Sequence, residues 1–65
     1  MEKLKTMVEI HLSYAKKFPE HARSYFDQAF GACQYYIFAN PSTQMLVENL
    51  WNTYKPQFEA IVYGI

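Results

Sequence analysis

The sequence predicts an all-α protein. Two observations lead to this fold class: apolar residues recur every three or four positions along most of the chain, and two of its three prolines, Pro19 and Pro41, divide it into three segments of helical length. The connections at the first two prolines are short, which favours antiparallel neighbours. We therefore predict an antiparallel three-helix array, in a single helical domain 1–65, with helices at about 3–17, 20–39 and 41–63.

The first predicted helix has one continuous apolar arc. At about 100° per residue, this arc contains Leu4, Met7, Val8, His11, Leu12, Tyr14, Ala15 and Phe18. Charged and polar residues fill the opposite arc, as in an amphipathic helix. The stretch 8–12 alternates like a strand, but the helical period extends much further, so helix is favoured. Pro19 keeps the preceding residue out of the α region and ends the helix.

The second predicted helix begins at Pro19, because a proline in the first turn loses no hydrogen bond. Its apolar arc contains Ala22, Tyr25, Phe26, Ala29, Phe30, Cys33, Tyr36 and Ile37. Gly31 lies on the polar side, where it costs ~1 kcal/mol relative to alanine. This glycine indicates either the close approach of another segment or a weak point in the helix.

The third predicted helix opens with Asn40 as its N-cap and Pro41 in its first turn, a strong start signal. Its apolar stripe contains Val47, Leu50, Trp51, Tyr54, Phe58, Ile61, Val62 and Ile65. The stripe passes Pro56 without a change of phase, and Pro56 itself falls on the solvent side. One helix kinked at Pro56 is therefore favoured over two helices separated near Tyr54 or Lys55.

The core of such an array is small, since a chain of this length buries only about 60% of its surface on folding. We expect it to be formed by Leu4, Val8, Leu12, Phe26, Phe30, Ile37, Leu50, Trp51, Phe58 and Ile61.

The chain contains no arrangement of residues that predicts catalysis. Its acidic residues are spread over solvent arcs or their margins, and its two glycines are too far apart for a phosphate-binding loop. His11 lies in an apolar arc, and we expect a histidine at the core margin with one hydrogen bond. Cys33 has apolar neighbours and is expected to be a small buried hydrophobe. We therefore predict no enzyme, no metal site and no cofactor.

The charge of the chain argues against nucleic-acid and membrane partners. Six basic and six acidic residues give a net charge of zero. Lys16, Lys17 and Arg23 form the only basic cluster, with Glu20 among them, so a small nucleic-acid-binding regulator is the alternative function. The longest uncharged stretch, 28–47, holds too many polar residues to span a bilayer. These observations predict a cytoplasmic protein that does not enter membranes.

Aromatic residues are more numerous than so small a core can enclose: five Phe, six Tyr and one Trp. The helical periodicity leaves Tyr35, Phe38 and Met45 outside, together with Ile10 and Tyr63. Exposed aromatic and methionine side chains often mark interfaces. The open alternatives are that the second helix frays there or that the first helix covers it. We predict a partner-binding surface at Tyr35, Phe38 and Met45, in a homo-oligomer that acts as an interaction or assembly module and that can also bind another protein.

Overall fold

The computed structural model describes residues 1–64, which form three α-helices and no strand. The helices are α1 (Glu2–Lys17), α2 (Ala22–Ala39) and α3 (Gln44–Tyr63). One turn of 3-10 helix precedes each of the last two, at Pro19–His21 and Pro41–Thr43. Each α-helix packs against both others. The predicted all-α array of three helices is confirmed, with a tighter first turn at both prolines.

The two connections have nearly the same backbone. Phe18 has φ −126° and ψ 71°, and Asn40 has φ −137° and ψ 73°. Each precedes a proline, whose ring excludes the α conformation at that position. The N–H groups of Phe18 and Asn40 still bond helix carbonyls, at 2.7 and 2.9 Å. A single residue therefore ends one helix while its proline neighbour starts the next.

Asn40 caps α3 differently from the prediction. Its side chain makes no cap hydrogen bond to the following turn. The amide Nδ2 instead donates back to the carbonyl of Tyr36, at 3.4 Å. The backbone carbonyl of Asn40 holds the new turn, because it accepts from the N–H of Thr43 at 2.9 Å and from its Oγ1 at 2.6 Å.

Helix α3 is continuous through Pro56, as predicted. Pro56 is exposed, so the helix hydrogen bond that it cannot donate is lost on the side facing water. The kink itself stays a prediction. The helix ends at Gly64, whose φ of 71° lies in the left-handed region that glycine adopts most easily. Ile65, predicted on the apolar stripe, lies outside the described residues.

Small side chains occupy much of the centre of the molecule. The buried residues are Leu4, Val8, Leu12, Ala15, Ala22, Ala29, Cys33, Val47, Trp51 and Phe58. Four further predicted core residues are half-buried around them: Phe26, Ile37, Leu50 and Ile61. The prediction for Phe30 was wrong, because its side chain is 41% exposed. Helix α2 turns Ala22, Ala29 and Cys33 inward, which lets the helices approach closely and leaves larger rings at the flanks.

Aromatic rings join α2 to α3. Phe58 is fully buried, with its ring 5.9 Å from Phe26 and 5.7 Å from Trp51. Phe26 and Trp51 meet edge to face at 5.5 Å, a favoured aromatic geometry. Phe30 packs against Trp51 from outside, at 5.6 Å. These contacts pair the first half of α2 with the second half of α3, so the two helices are antiparallel.

Candidate functional site

His11 has a structural role that accounts for its position. The side chain is half-buried, and its Nδ1 donates to the carbonyl of Met7 at 2.8 Å. The ring lies edge-on to Tyr14 and Tyr25, at centroid distances of 6.4 and 6.2 Å. The predicted histidine with one hydrogen bond at the core margin is confirmed. Within residues 1–64, no three His, Cys, Asp or Glu side chains are grouped so that they could hold a metal ion.

Cys33 is buried, as expected, and burial raises the pKa of its thiol. The apolar surroundings penalise the charged thiolate, which is the nucleophilic form. At neutral pH the side chain is therefore a small hydrophobic group in the core.

One polar contact joins the first and third helices. The hydroxyl of Tyr54 donates to the carboxylate of Glu9 at 2.7 Å. This hydrogen bond holds the phenol in its neutral form, and it raises the pKa of Tyr54 above its usual value. The contact joins α3 to α1 at the surface, so it has the character of a structural tie.

The basic cluster is partly engaged by its own neighbours. Arg23 Nε lies 3.3 Å from Asp27 Oδ1, and its guanidinium lies over the ring of Phe26 at 5.8 Å. The ammonium of Lys17 lies over the ring of Phe18 at 5.6 Å. These contacts reduce the positive charge offered to a nucleic acid. None of the helices described is long and apolar enough to cross a membrane.

The exposed apolar residues concentrate at the end of the molecule that carries the second connection. The exposed fractions are 73% for Tyr35, 83% for Phe38, 77% for Met45 and 57% for Leu46. We call these four residues the neutral end, because they lie within the uncharged stretch 28–47. The prediction that Tyr35, Phe38 and Met45 lie outside is confirmed, and their binding role stays a prediction. Leu46 was missed, although its angle on the helix, about 100° from Val47, could have identified it.

The alternatives that would have hidden this surface do not hold. Helix α2 is regular to Ala39, so it does not fray at Tyr35 or Phe38. Helix α1 does reach this end, since the amino group of Met1 donates to the hydroxyl of Tyr36 at 3.1 Å. It leaves the two rings on the outer side of α2 uncovered. They are exposed because they point away from the bundle while the backbone beneath them stays helical.

A groove of about 200 Å³ lies between α2 and α3 and extends toward the neutral end. Its floor is formed by buried residues, Cys33, Val47 and Trp51. Ile37 lines it on the α2 side, and exposed polar side chains form its rim: Gln34, Glu48 and Asn52. The sequence did not predict this groove, because Phe30 was expected inside the core and the spacing of two helices is not visible in a helical wheel.

Comparison of the chain with protein-family models, with curated proteins and with solved structures found no match. What the protein does has therefore to be inferred from its own surface. The neutral end and the adjoining groove are two features that its internal packing leaves unexplained.

Proposed function

We propose that this protein is a non-enzymatic interaction module that self-associates, with two copies meeting at the neutral end. The observation that carries the proposal is the exposure of Tyr35, Phe38 and Met45. These side chains lie on regular helices and take no part in the packing of the core. Large rings in water cost free energy, and contact with another apolar surface recovers it.

The size of the exposed surface supports a stable contact. Summed over its four side chains, the neutral end exposes roughly 500 Å². A standard interface buries about 800 Å² on each partner. The neutral end supplies more than half of that area, and the residues around it can supply the rest.

Charge supports a second copy as the partner. The stretch 28–47 has no charged residue, so the charges at this surface lie at its margin, on the Met1 amino group beside Tyr36 and on Glu48. The whole chain has a formal net charge of zero, so two copies approach without long-range repulsion. The exposed apolar side chains are complementary to those of a second copy, which suits the isologous interface of a two-fold dimer.

The test is the molar mass in solution as concentration rises, measured by sedimentation equilibrium. We expect the wild-type chain to pass from 7.7 kDa to twice that mass. The variant Phe38→Ser should associate at least about 30-fold more weakly, as the loss of an interface hot spot predicts. Circular dichroism checks that the variant keeps its helices.

Ile10→Ser is the matched control. Ile10 is also an exposed apolar residue, 44% accessible, but it lies on α1 among charged neighbours. Its replacement should leave association unchanged. A wild-type chain that stays at the monomer mass at high concentration, or equal association of Phe38→Ser and wild type, would show the proposal to be wrong.

A further inference from the structure

We propose that Phe38 of each copy inserts into the α2–α3 groove of the other, so that each groove is completed by a ring from its partner. This inference rests on the proposed self-association. In it, Phe38 is the anchor and the α2–α3 groove is the socket. The anchor is an exposed ring with no place in its own molecule, and the socket is an apolar depression that its own molecule leaves open.

The groove has the size and chemistry for one aromatic ring. Its volume is about 200 Å³, and an apolar cavity of ~150 Å³ is enough to bind benzene. Val47 and Trp51 on its floor are apolar, and the exposed Gln34, Glu48 and Asn52 at its rim can stay in contact with water. A phenyl ring carries no polar atom, so its burial against this floor leaves no hydrogen-bonding group unsatisfied.

Phe38 is the side chain of this chain that is best placed to enter the groove. It is 83% exposed, the largest fraction among the large hydrophobic residues within 1–64. It follows Gln34 on the groove rim by four residues, so it lies one helical turn, about 6 Å, further along the same side of α2. It does not line the groove of its own molecule, and its side chain is exposed to solvent beyond the rim.

A two-fold axis satisfies both insertions at once. When the two-fold axis passes between Phe38 and Gln34, it places the Phe38 of each copy at the rim of the partner copy's groove. The two α2 helices then cross antiparallel. This is the reciprocal relation of an isologous dimer, in which residue i contacts j and j contacts i. Met45 lies on the outer face of α3 near this crossing, and Phe30 flanks the far side of the groove on Trp51. An aromatic anchor in a pocket, surrounded by further apolar side chains, is the usual form of an interface hot spot.

Trp51 reports directly on the groove, since it is the only tryptophan of the chain and lines the floor. We expect its fluorescence emission to change over the same concentration range in which the mass doubles, because a phenyl ring comes to pack against this buried indole. The change should be absent in Phe38→Ser. A dimer that forms without any change in Trp51 emission would leave the proposed function standing and overturn the insertion.

A blocked groove provides the second arm. Asn52→Arg places a long charged side chain at the rim of the groove, on an exposed position of α3 where it does not disturb the fold. We expect association to weaken about 30-fold, as for a lost hot spot. Gln57→Arg adds the same charge at another exposed position of α3 that does not line the groove, and it should associate like wild type. Equal association of Asn52→Arg and Gln57→Arg would overturn the insertion.

Mixing the two defective variants gives the decisive result. Phe38→Ser keeps a groove and lacks the ring, whereas Asn52→Arg keeps the ring and lacks an open groove. A mixed pair recovers one of the two insertions, so we expect the mixture to associate more strongly than either variant alone, by sedimentation or by energy transfer between labelled copies. A mixture no stronger than its components, beside a dimeric wild type, contradicts the insertion. A monomeric wild type contradicts the insertion and the proposed function together.

Discussion

The two connections of this molecule share a backbone and differ in surface chemistry. Both place a helix-ending residue before a proline, with φ and ψ within about 11° of each other, and both continue into one 3-10 turn. The first connection is surrounded by Lys16, Lys17, Glu20 and Arg23. The second lies in the uncharged stretch 28–47 and exposes the rings of the neutral end. The path of the chain and the character of the surface are therefore encoded by different residues.

Two phenylalanines show the same contrast at the level of one side chain. Phe18, at the first connection, is 39% exposed and lies beneath the ammonium of Lys17. Phe38, before the second connection, is exposed over most of its surface. A ring covered by a local cation has a partner within its own chain, and a bare ring on a regular helix points to a partner outside it.

The largest expected effect separates a ring of the core from a ring of the neutral end. Phe58→Ala should lower the free energy of unfolding by about 3–5 kcal/mol, because Phe58 is fully buried and its loss leaves a cavity. Phe38→Ala should change it by less than about 0.5 kcal/mol in the monomer. Chemical denaturation at concentrations below the onset of association measures both. Similar losses in the two variants would contradict the division between core and neutral end.

Giving the second connection the charge of the first should reduce association. Met45→Lys introduces an ammonium group into an apolar contact, where its desolvation costs more than the Glu48 carboxylate at the margin returns, so we expect at least about a tenfold weaker dimer. Lys17→Met is the reciprocal change at the first connection and should leave the dimer as it is. Sedimentation equilibrium of the two variants gives the comparison, and equal effects would mean that charge at the neutral end is irrelevant.

Gly31 tests whether α2 was adapted for a partner. A Cβ added there would meet nothing within 4 Å, so no contact inside the molecule requires this glycine. Gly31→Ala should stabilise the monomer by about 1 kcal/mol through helix propensity. Because Gly31 lies on the outer side of α2, one and two turns before Tyr35 and Phe38, we also expect several-fold weaker association. Denaturation and sedimentation measure the two effects, and a variant that gains stability and keeps full association would show that the glycine is only a weak point.

The smallest expected effect concerns pH and lies away from both connections. The pKa of Tyr54 is raised in the folded state by its hydrogen bond to Glu9, so the resulting stability is present below the unfolded pKa of about 10 and is lost as pH rises through the folded value. Tyr54→Phe should lose stability less steeply than wild type at alkaline pH. Tyr63→Phe, at an exposed residue, serves as the control. Denaturation across this pH range checks it, and identical slopes would contradict the assignment.

The sequence was sufficient wherever one helix decides the outcome. Apolar periodicity and prolines predicted the three helices, and the same angles placed Tyr35 and Phe38 outside. The sequence did not predict the features that depend on the spacing between helices. Phe30 shares the apolar arc of α2, but the close approach at its alanines and Cys33 leaves only a narrow strip buried. The groove depends on two helices at once, so no pattern within one helix could indicate it.

The size of Ala29 affects more of the molecule than the space that its own methyl group fills. It is completely buried, so the separation of α2 from its neighbours is set there by a single carbon atom. A slightly larger residue at this position would move α2 outward and change the shape of the depression beside it. A substitution at Ala29 would thus alter the surface from the interior, without changing any exposed residue.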